Sequence, residues 1–90
     1  MARKQPQPRP YTSTLRATTD ERTRRAWAES LRAMRKRRGL SQLDLAIALG
    51  CTRQTVSAWE CAVSAPTIET RRAIAKVLNT SVARVFPAAA

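Results

Sequence analysis

Apolar side chains recur at helical spacing from position 20 onward. Trp27, Leu31 and Met34 follow one another at i, i+4 and i+7, which places them on one stripe of a helix. The dipeptide Thr19–Asp20 offers a capping side chain before this stripe, and Gly39 offers a left-handed residue after it. We therefore predict a first helix that begins at this cap and ends at Gly39.

A second helix is predicted directly after the first. Residues Ser41–Asp44 form a variant of the capping box, in which the Ser and Asp side chains bond each other's backbone N–H. Leu45, Ala46 and Leu49 make its buried stripe, and Gly50 ends it.

Two apolar residues of this second helix, Leu43 and Ile47, fall outside its buried stripe. A contiguous apolar patch on a small domain is usually covered or used for binding. We expect the first helix to extend over both residues, and a dimer contact is the alternative.

Two more helices and a short final turn complete the predicted domain. The third helix spans residues 53–60 with Thr52 as its N-cap, and the fourth follows Pro66 and runs from Ile68 to about Leu78. Ser81 begins the last turn. The inward side chains of this half are Ile68, Ile74, Ala75, Leu78, Val82, Val85 and Phe86. The pattern predicts an all-α domain over residues 20–87, preceded by an arm (1–19) and followed by a tail (88–90).

The predicted third helix has two different faces. At about 100° per residue, Thr55, Val56 and Trp59 share one side and face the core. The side turned outward carries Arg53, Gln54, Ser57 and Ala58. Arg can pair with guanine, Gln with adenine, and Ala can touch a thymine methyl group. This face suits the DNA major groove, and an ordinary solvated helix face is the alternative.

The charge of the chain favours a polyanionic partner. Seventeen Lys and Arg residues against six Asp and Glu give a net charge of +11, and most of the basic residues are Arg. The planar guanidinium group matches phosphate oxygens and guanine edges better than the point charge of Lys does. Nucleic acid is therefore the first candidate, and a charge that serves solubility alone is the alternative.

Several other kinds of site are not expected. The chain has no His, the commonest general base and metal ligand. Cys51 and Cys61 would lie on the order of 15 Å apart along a helix, too far for a disulfide and too few for zinc. We expect Cys51 to be a small buried residue and Cys61 to be exposed. We also expect no catalysis, no cofactor and, without an apolar run of ~20 residues, no membrane span.

Residues 1–19 differ in composition from the rest of the chain. They contain three prolines within the first ten positions and no acidic residue. Proline removes a backbone donor and blocks the preceding turn, so this stretch is predicted to be a flexible basic arm. Arg3, Lys4 and Arg9 would then contact DNA phosphates, and a passive terminus is the alternative.

The stretch LRAMRKRRGLSQLDLAIALGCTRQTVSAWE resembles the helix-turn-helix of the Xre family of phage-type repressors and Cro proteins. The likeness combines Ser-Gln, Leu-Ala and Gly at fixed spacing with a later Trp-Glu, and it extends over about residues 28–86. It implies a five-helix, lambda-repressor-like DNA-binding domain from a bacterium or phage.

The resemblance also implies roles for individual residues. Gln42, with Ser41 beside it, would bind a DNA phosphate at the start of the second helix. Arg35 and Glu60 would form an internal ion pair. The residues that would approach base edges are Thr52, Arg53, Gln54 and Ser57, next to Ala58 from the helical wheel.

The chain departs from the family pattern at two informative positions. Ala62 stands where a Gly is usual after Trp-Glu, so we expect a differently shaped turn and doubt a phosphate contact there. Arg71 stands where the fourth helix usually has Leu, which predicts either a side chain that packs its stem on the core or a charge at an interface.

The expected function is binding of double-stranded DNA by a cytoplasmic, nucleoid-associated transcriptional regulator. We expect a repressor that binds a near-palindromic operator as a homodimer. An antitoxin that binds a toxin protein and represses its own operon is the second hypothesis. An RNA-binding or bridging protein that uses only the basic arm is the third.

Overall fold

The computed structural model describes residues 20–87, and in that range the chain forms five helices and no strand. The helices are α1 (Glu21–Arg37), α2 (Gln42–Leu49), α3 (Arg53–Glu60), α4 (Ile68–Val77) and α5 (Val82–Val85). This confirms the predicted all-α, five-helix architecture. The predicted arm (1–19) and tail (88–90) lie outside the described residues.

Every helix begins after a side chain that caps its first turn. The caps are Asp20, Ser41, Thr52, Thr67 and Ser81, and each accepts a hydrogen bond from the backbone N–H three residues later. At α2 the capping box is complete: Asp44 N donates to Ser41 Oγ and Ser41 N donates to Asp44 Oδ2, both at 2.9 Å. The carboxyl groups of Asp20 and Asp44 accept hydrogen bonds from the backbone N–H groups of Thr23 and Ser41, respectively. These hydrogen bonds lower the pKa values of both carboxyl groups.

A residue in the left-handed conformation follows each of the first four helices within two positions. Gly39 (φ 72°) follows α1 and Gly50 (φ 75°) ends α2, as the sequence predicted. Asn79 (φ 56°) takes the same conformation after α4. Ala62 also adopts it, with φ 63°, so the prediction of a differently shaped turn was wrong. The turn keeps its left-handed geometry and Ala62 carries the strain of its Cβ atom there.

One hydrophobic core joins all five helices. It consists of Leu31, Leu45, Ala46, Val56, Trp59, Ile74, Leu78, Val85 and Phe86. Trp27, Met34, Leu49 and Val82 are half-buried against it. Ile68, which we predicted to face inward, is 40% exposed. It lies six residues before Ile74 and therefore about 240° around the helix from that buried side chain, which is the physical reason for the difference.

Within residues 20–87, the first helix does not cover Leu43 and Ile47, contrary to the prediction. Their side chains are 51% and 69% exposed. α1 packs mainly against α3 and α5, whereas α2 packs against α3 and α4. Because α1 runs on the other side of the core, it does not extend over the outer face of α2.

Arg71 packs its side chain along an aromatic surface. Its guanidinium carbon lies 4.7 Å from the ring centroid of Trp27, and its Nη1 donates to the carbonyl of Pro66 at 3.1 Å. Trp27 in turn meets Phe86 edge to face at 5.4 Å. Burial lowers the pKa of Arg71, and the stacking and hydrogen bond offset the desolvation. These contacts agree with the first of the two predictions for Arg71, a side chain that packs its stem on the core.

No helix among residues 20–87 has the length and apolar character needed to cross a membrane.

Replacing Ala62 by Gly is expected to stabilise the domain. The left-handed conformation costs a non-Gly residue about 1–2 kcal/mol, and the greater freedom of Gly in the unfolded chain takes back about 0.4–1 kcal/mol. We expect a net gain of about 0.5–1 kcal/mol in the free energy of unfolding, measured by urea denaturation. Ala33→Gly, at an exposed position inside α1, is the matched control and should lose about 0.5–1 kcal/mol. Equal effects of the two substitutions would contradict a strained turn at Ala62.

Candidate nucleic-acid interface

A short turn joins α2 and α3 at the centre of the domain. Gly50 reverses the chain in a left-handed conformation, and the N–H of Cys51 donates to the carbonyl of Ala46 at 3.0 Å. Ala46 and Val56 are both fully buried between the helices. A small side chain at position 46 lets the two helices approach closely, which fixes α3 against α2.

α3 has one apolar face and one polar face, as its sequence predicted. Val56 and Trp59 are buried with 0% and 2% exposure. On the opposite side Arg53 and Gln54 are exposed, and Ser57 and Ala58 are half-buried. The predicted base-reading residues therefore lie together on one accessible side of α3.

The start of α3 is ordered by two threonines. Thr52 Oγ1 accepts the backbone N–H of Thr55 at 3.1 Å, and the two hydroxyl groups lie 3.0 Å apart. Thr55, which we predicted to face the core, is only half-buried, because its hydroxyl pairs with the exposed cap at the edge of the helix. The hydroxyl of Thr52 thus already has two protein partners, and a contact to a base edge would share it.

Arg35 and Glu60 form a buried ion pair between α1 and the end of α3. Arg35 Nε lies 2.6 Å from Glu60 Oε2 and Arg35 Nη2 lies 2.9 Å from Glu60 Oε1, so the pair is bidentate. The two residues are 7% and 4% exposed. The hydrogen bond to Glu60 raises the pKa of Arg35. A further bond, from Arg35 Nη1 to the carbonyl of Leu40 at 2.6 Å, ties the loop before α2 to the same group.

Gln42, the predicted phosphate contact, is bonded to this ion pair. Its Nε2 donates to Glu60 Oε1 at 3.0 Å. The two residues are 18 positions apart, and no periodicity or motif in the sequence points to their contact. The neighbouring Ser41 is exposed and serves as the cap of α2.

Exposed basic side chains lie in the chain just before the start of α2. Lys36, Arg37 and Arg38 are exposed at the end of α1, three to five residues before Ser41. Arg38 Nη2 donates to the carbonyl of Asn79 at 3.3 Å. These exposed side chains add positive charge to the segment of chain that leads into α2. Arg3, Lys4 and Arg9 lie outside the described residues.

The two cysteines are free thiols in different surroundings. Cys51 is half-buried against the core, and burial raises the pKa of its thiol. Cys61 is exposed at the end of α3. Within residues 20–87, no group of three or more Cys, Asp or Glu side chains is placed to hold a metal ion.

Comparison with known proteins identifies this arrangement. Residues 31–85 match the family model HTH_3, described as helix-turn-helix. No curated protein sequence is significantly similar to the chain.

Several solved structures have the same fold. One is hydroxypropylphosphonic acid epoxidase from S. wedmorenis, at 31% identity and a TM-score of 0.70, covering 79% of this chain. This chain spans only 38% of that epoxidase. The clp gene regulator ClgR from Corynebacterium glutamicum matches at 27% identity and a TM-score of 0.67, over 70% of this chain and 67% of ClgR. The hypothetical transcription factor NHTF from Neisseria matches at 28% identity and a TM-score of 0.67, over 74% of this chain and 78% of that one.

Truncating Arg35 is expected to destabilise the domain strongly. Arg35→Ala would leave the buried carboxylate of Glu60 without its counter-charge, at a cost of about 3–5 kcal/mol in the free energy of unfolding. Arg25→Ala is the matched control, because Arg25 pairs with Glu21 at 2.9 Å on the surface, with both side chains mostly exposed. An exposed helix pair contributes about 0.3–0.5 kcal/mol, so thermal or urea unfolding should separate the two variants clearly. Similar losses would mean that the Arg35–Glu60 pair is not buried in solution.

Proposed function

The chain belongs to the helix-turn-helix family whose model matches residues 31–85, and from this membership we propose that it is a sequence-specific DNA-binding regulator of transcription that inserts α3 into the major groove. The observation that carries this proposal is the polarity of α3. Val56 and Trp59 fix one side of the helix in the core, while Arg53 and Gln54 project from the other. A rigid helix with an exposed polar side is the element that reads base edges in this class of domain.

In this proposal the exposed side of α3 supplies the sequence preference. Arg53 pairs with guanine O6 and N7, and Gln54 pairs with adenine N6 and N7. The half-buried Ser57 and Ala58 lie further along the same side of the helix and would also contact base edges. Thr52 reaches the groove at the start of the helix.

Contacts to the DNA backbone would set the position of α3. Gln42 and Ser41 are placed at the start of α2, where backbone N–H groups and the helix dipole favour a phosphate. Arg3, Lys4 and Arg9 of the arm would add phosphate contacts that strengthen binding to any sequence. The net charge of +11 supports this non-specific component.

The regulator is proposed to act as a repressor that binds a near-palindromic operator as a homodimer. Its likeness to ClgR and NHTF, a gene regulator and a hypothetical transcription factor, supports regulation of transcription. The proposal places the chain at the nucleoid in the cytoplasm of a bacterium or phage-infected cell. It requires no cofactor and no catalysis, and the epoxidase match, limited to 38% of that enzyme, does not extend its activity to this chain.

An antitoxin is the second candidate, and one observation favours it. In the part of the chain that the structure describes, Leu43 and Ile47 are 51% and 69% exposed, and an exposed apolar pair is a candidate protein-binding surface. A toxin protein bound there would co-purify with the untagged chain from its native host. Leu43→Ser with Ile47→Ser should then release that protein while DNA binding persists.

Selection of bound DNA from a random pool tests the main proposal. We expect an enriched, near-palindromic site whose half-sites are about 10 bp apart, because the two recognition helices of a dimer enter successive major grooves on one side of the duplex. The absence of any enriched duplex sequence would overturn the proposal. Preferred binding of single-stranded RNA would instead favour an RNA-binding or bridging protein that uses only the basic arm.

Variants of α3 test which residues read the bases. On the selected site, Arg53→Ala and Gln54→Ala should each lose about 1–3 kcal/mol of binding free energy and relax the preference at one position. Gln42→Ala should weaken selected and unrelated duplexes equally. Arg84→Ala is the charge-matched control for Arg53→Ala, since α5 packs on α1 and α4, away from the α2–α3 unit, and it should leave the preference unchanged. Unchanged selectivity in Arg53→Ala would show that another element reads the DNA.

Removal of residues 1–19 tests the arm. The slope of log K against log salt should become shallower by ~0.9 for each phosphate that a basic side chain of the arm contacts. The sequence preference should stay the same, because phosphate contacts carry no base information. Fluorescence anisotropy between 50 and 200 mM salt gives both slopes. Identical slopes for the two proteins would make the arm a passive terminus.

A further inference from the structure

The carboxylate of Glu60 has more partners than an ion pair requires. Arg35 already supplies one donor to each oxygen, at 2.6 and 2.9 Å. Gln42 Nε2 adds a third donor, to Oε1, at 3.0 Å. Glu60 itself is only 4% exposed, so a buried, fixed charge acts on a side chain at the surface end of α2. A hydrogen bond therefore connects the buried ion pair to a side chain near the surface.

The chemistry of this contact fixes the orientation of the Gln42 amide. An ionised carboxylate only accepts hydrogen bonds, so it can face the NH2 end of the amide and not its carbonyl end. Nε2 carries two hydrogens, and the bond to Glu60 uses one of them. The second hydrogen remains on the same nitrogen, directed away from the carboxylate.

A DNA phosphate also only accepts hydrogen bonds. In the free protein an unrestrained glutamine amide samples both orientations, and the one that turns its carbonyl oxygen toward the phosphate is repulsive. It would also lose rotamer freedom on binding. A Gln42 amide that is already held by Glu60 avoids both losses.

We propose that Glu60 is a positioning residue for DNA binding, which holds the Gln42 amide so that its second N–H faces a backbone phosphate. The inference deepens the proposed function and rests on it. It also gives the Arg35–Glu60 pair a role in affinity: Arg35 holds the Glu60 carboxylate in place with two hydrogen bonds, Glu60 orients Gln42, and Gln42 contacts the DNA.

The test compares Gln42→Ala in two backgrounds. The second background is Arg35→Met with Glu60→Met, which removes the ion pair without leaving an unmatched buried charge and is therefore expected to fold. In the wild-type background Gln42→Ala should weaken binding roughly ten- to a hundred-fold, as the loss of a hydrogen bond to a charged group predicts. In the Met background it should have almost no further effect. An equal loss in both backgrounds would overturn the inference.

Side-chain order in the free protein separates positioning from a merely structural role. We expect ¹⁵N relaxation to show an ordered Gln42 amide and a mobile Gln54 amide, since Gln54 is exposed on α3. In the Met background the Gln42 side chain should become as mobile as that of Gln54, while its backbone N–H stays ordered. If the Gln42 and Gln54 amides are equally mobile in the wild-type chain, the inference fails, even where the Met variant does not fold.

The same experiment distinguishes failure of the proposed function from failure of the role of Glu60. A wild-type chain that binds no duplex DNA would refute the proposed function, whatever the order of Gln42. A wild-type chain that binds DNA but shows equal losses for Gln42→Ala in both backgrounds would refute the role of Glu60 alone.

Discussion

A buried charge at the meeting point of three helices constrains the rest of this domain. Glu60, at the end of α3, must be paired, because an ionised carboxylate in a poorly hydrated interior is strongly unfavourable without compensation. Arg35 of α1 supplies that compensation with two hydrogen bonds, and its third bond fixes the carbonyl of Leu40. The ends of α1 and α3 and the start of α2 are thus held in one arrangement.

This arrangement also determines which surfaces stay open. With α1 bound to the end of α3 and packed on α5, no helix among residues 20–87 covers the outer side of α2, and Leu43 and Ile47 remain exposed there. The same packing directs Trp59 and Val56 inward and leaves Arg53 and Gln54 accessible. The proposed DNA-reading surface and the uncovered apolar pair are therefore consequences of one packing solution.

Local signals allowed much of the fold to be predicted. The five caps, the two glycines and the helical spacing of apolar residues act within a few positions, so their effects can be read before any tertiary contact is known. The bounds of α3 and its two faces were predicted in this way. Ala62 shows the limit of local reasoning: its preference against a left-handed conformation is real, but the surrounding packing imposes that conformation.

The sequence by itself determined the all-helical class, the starts and ends of the helices, the basic charge and the polar side of α3, because each depends on neighbouring residues or on composition. Only the tertiary structure decided how distant residues meet. Gln42 and Glu60 are 18 positions apart, and Arg71 packs on Trp27 from a different helix. The exposure of Leu43 and Ile47 likewise depended on the path of α1 across the core. Such contacts follow from how whole helices pack, which no short stretch of residues encodes.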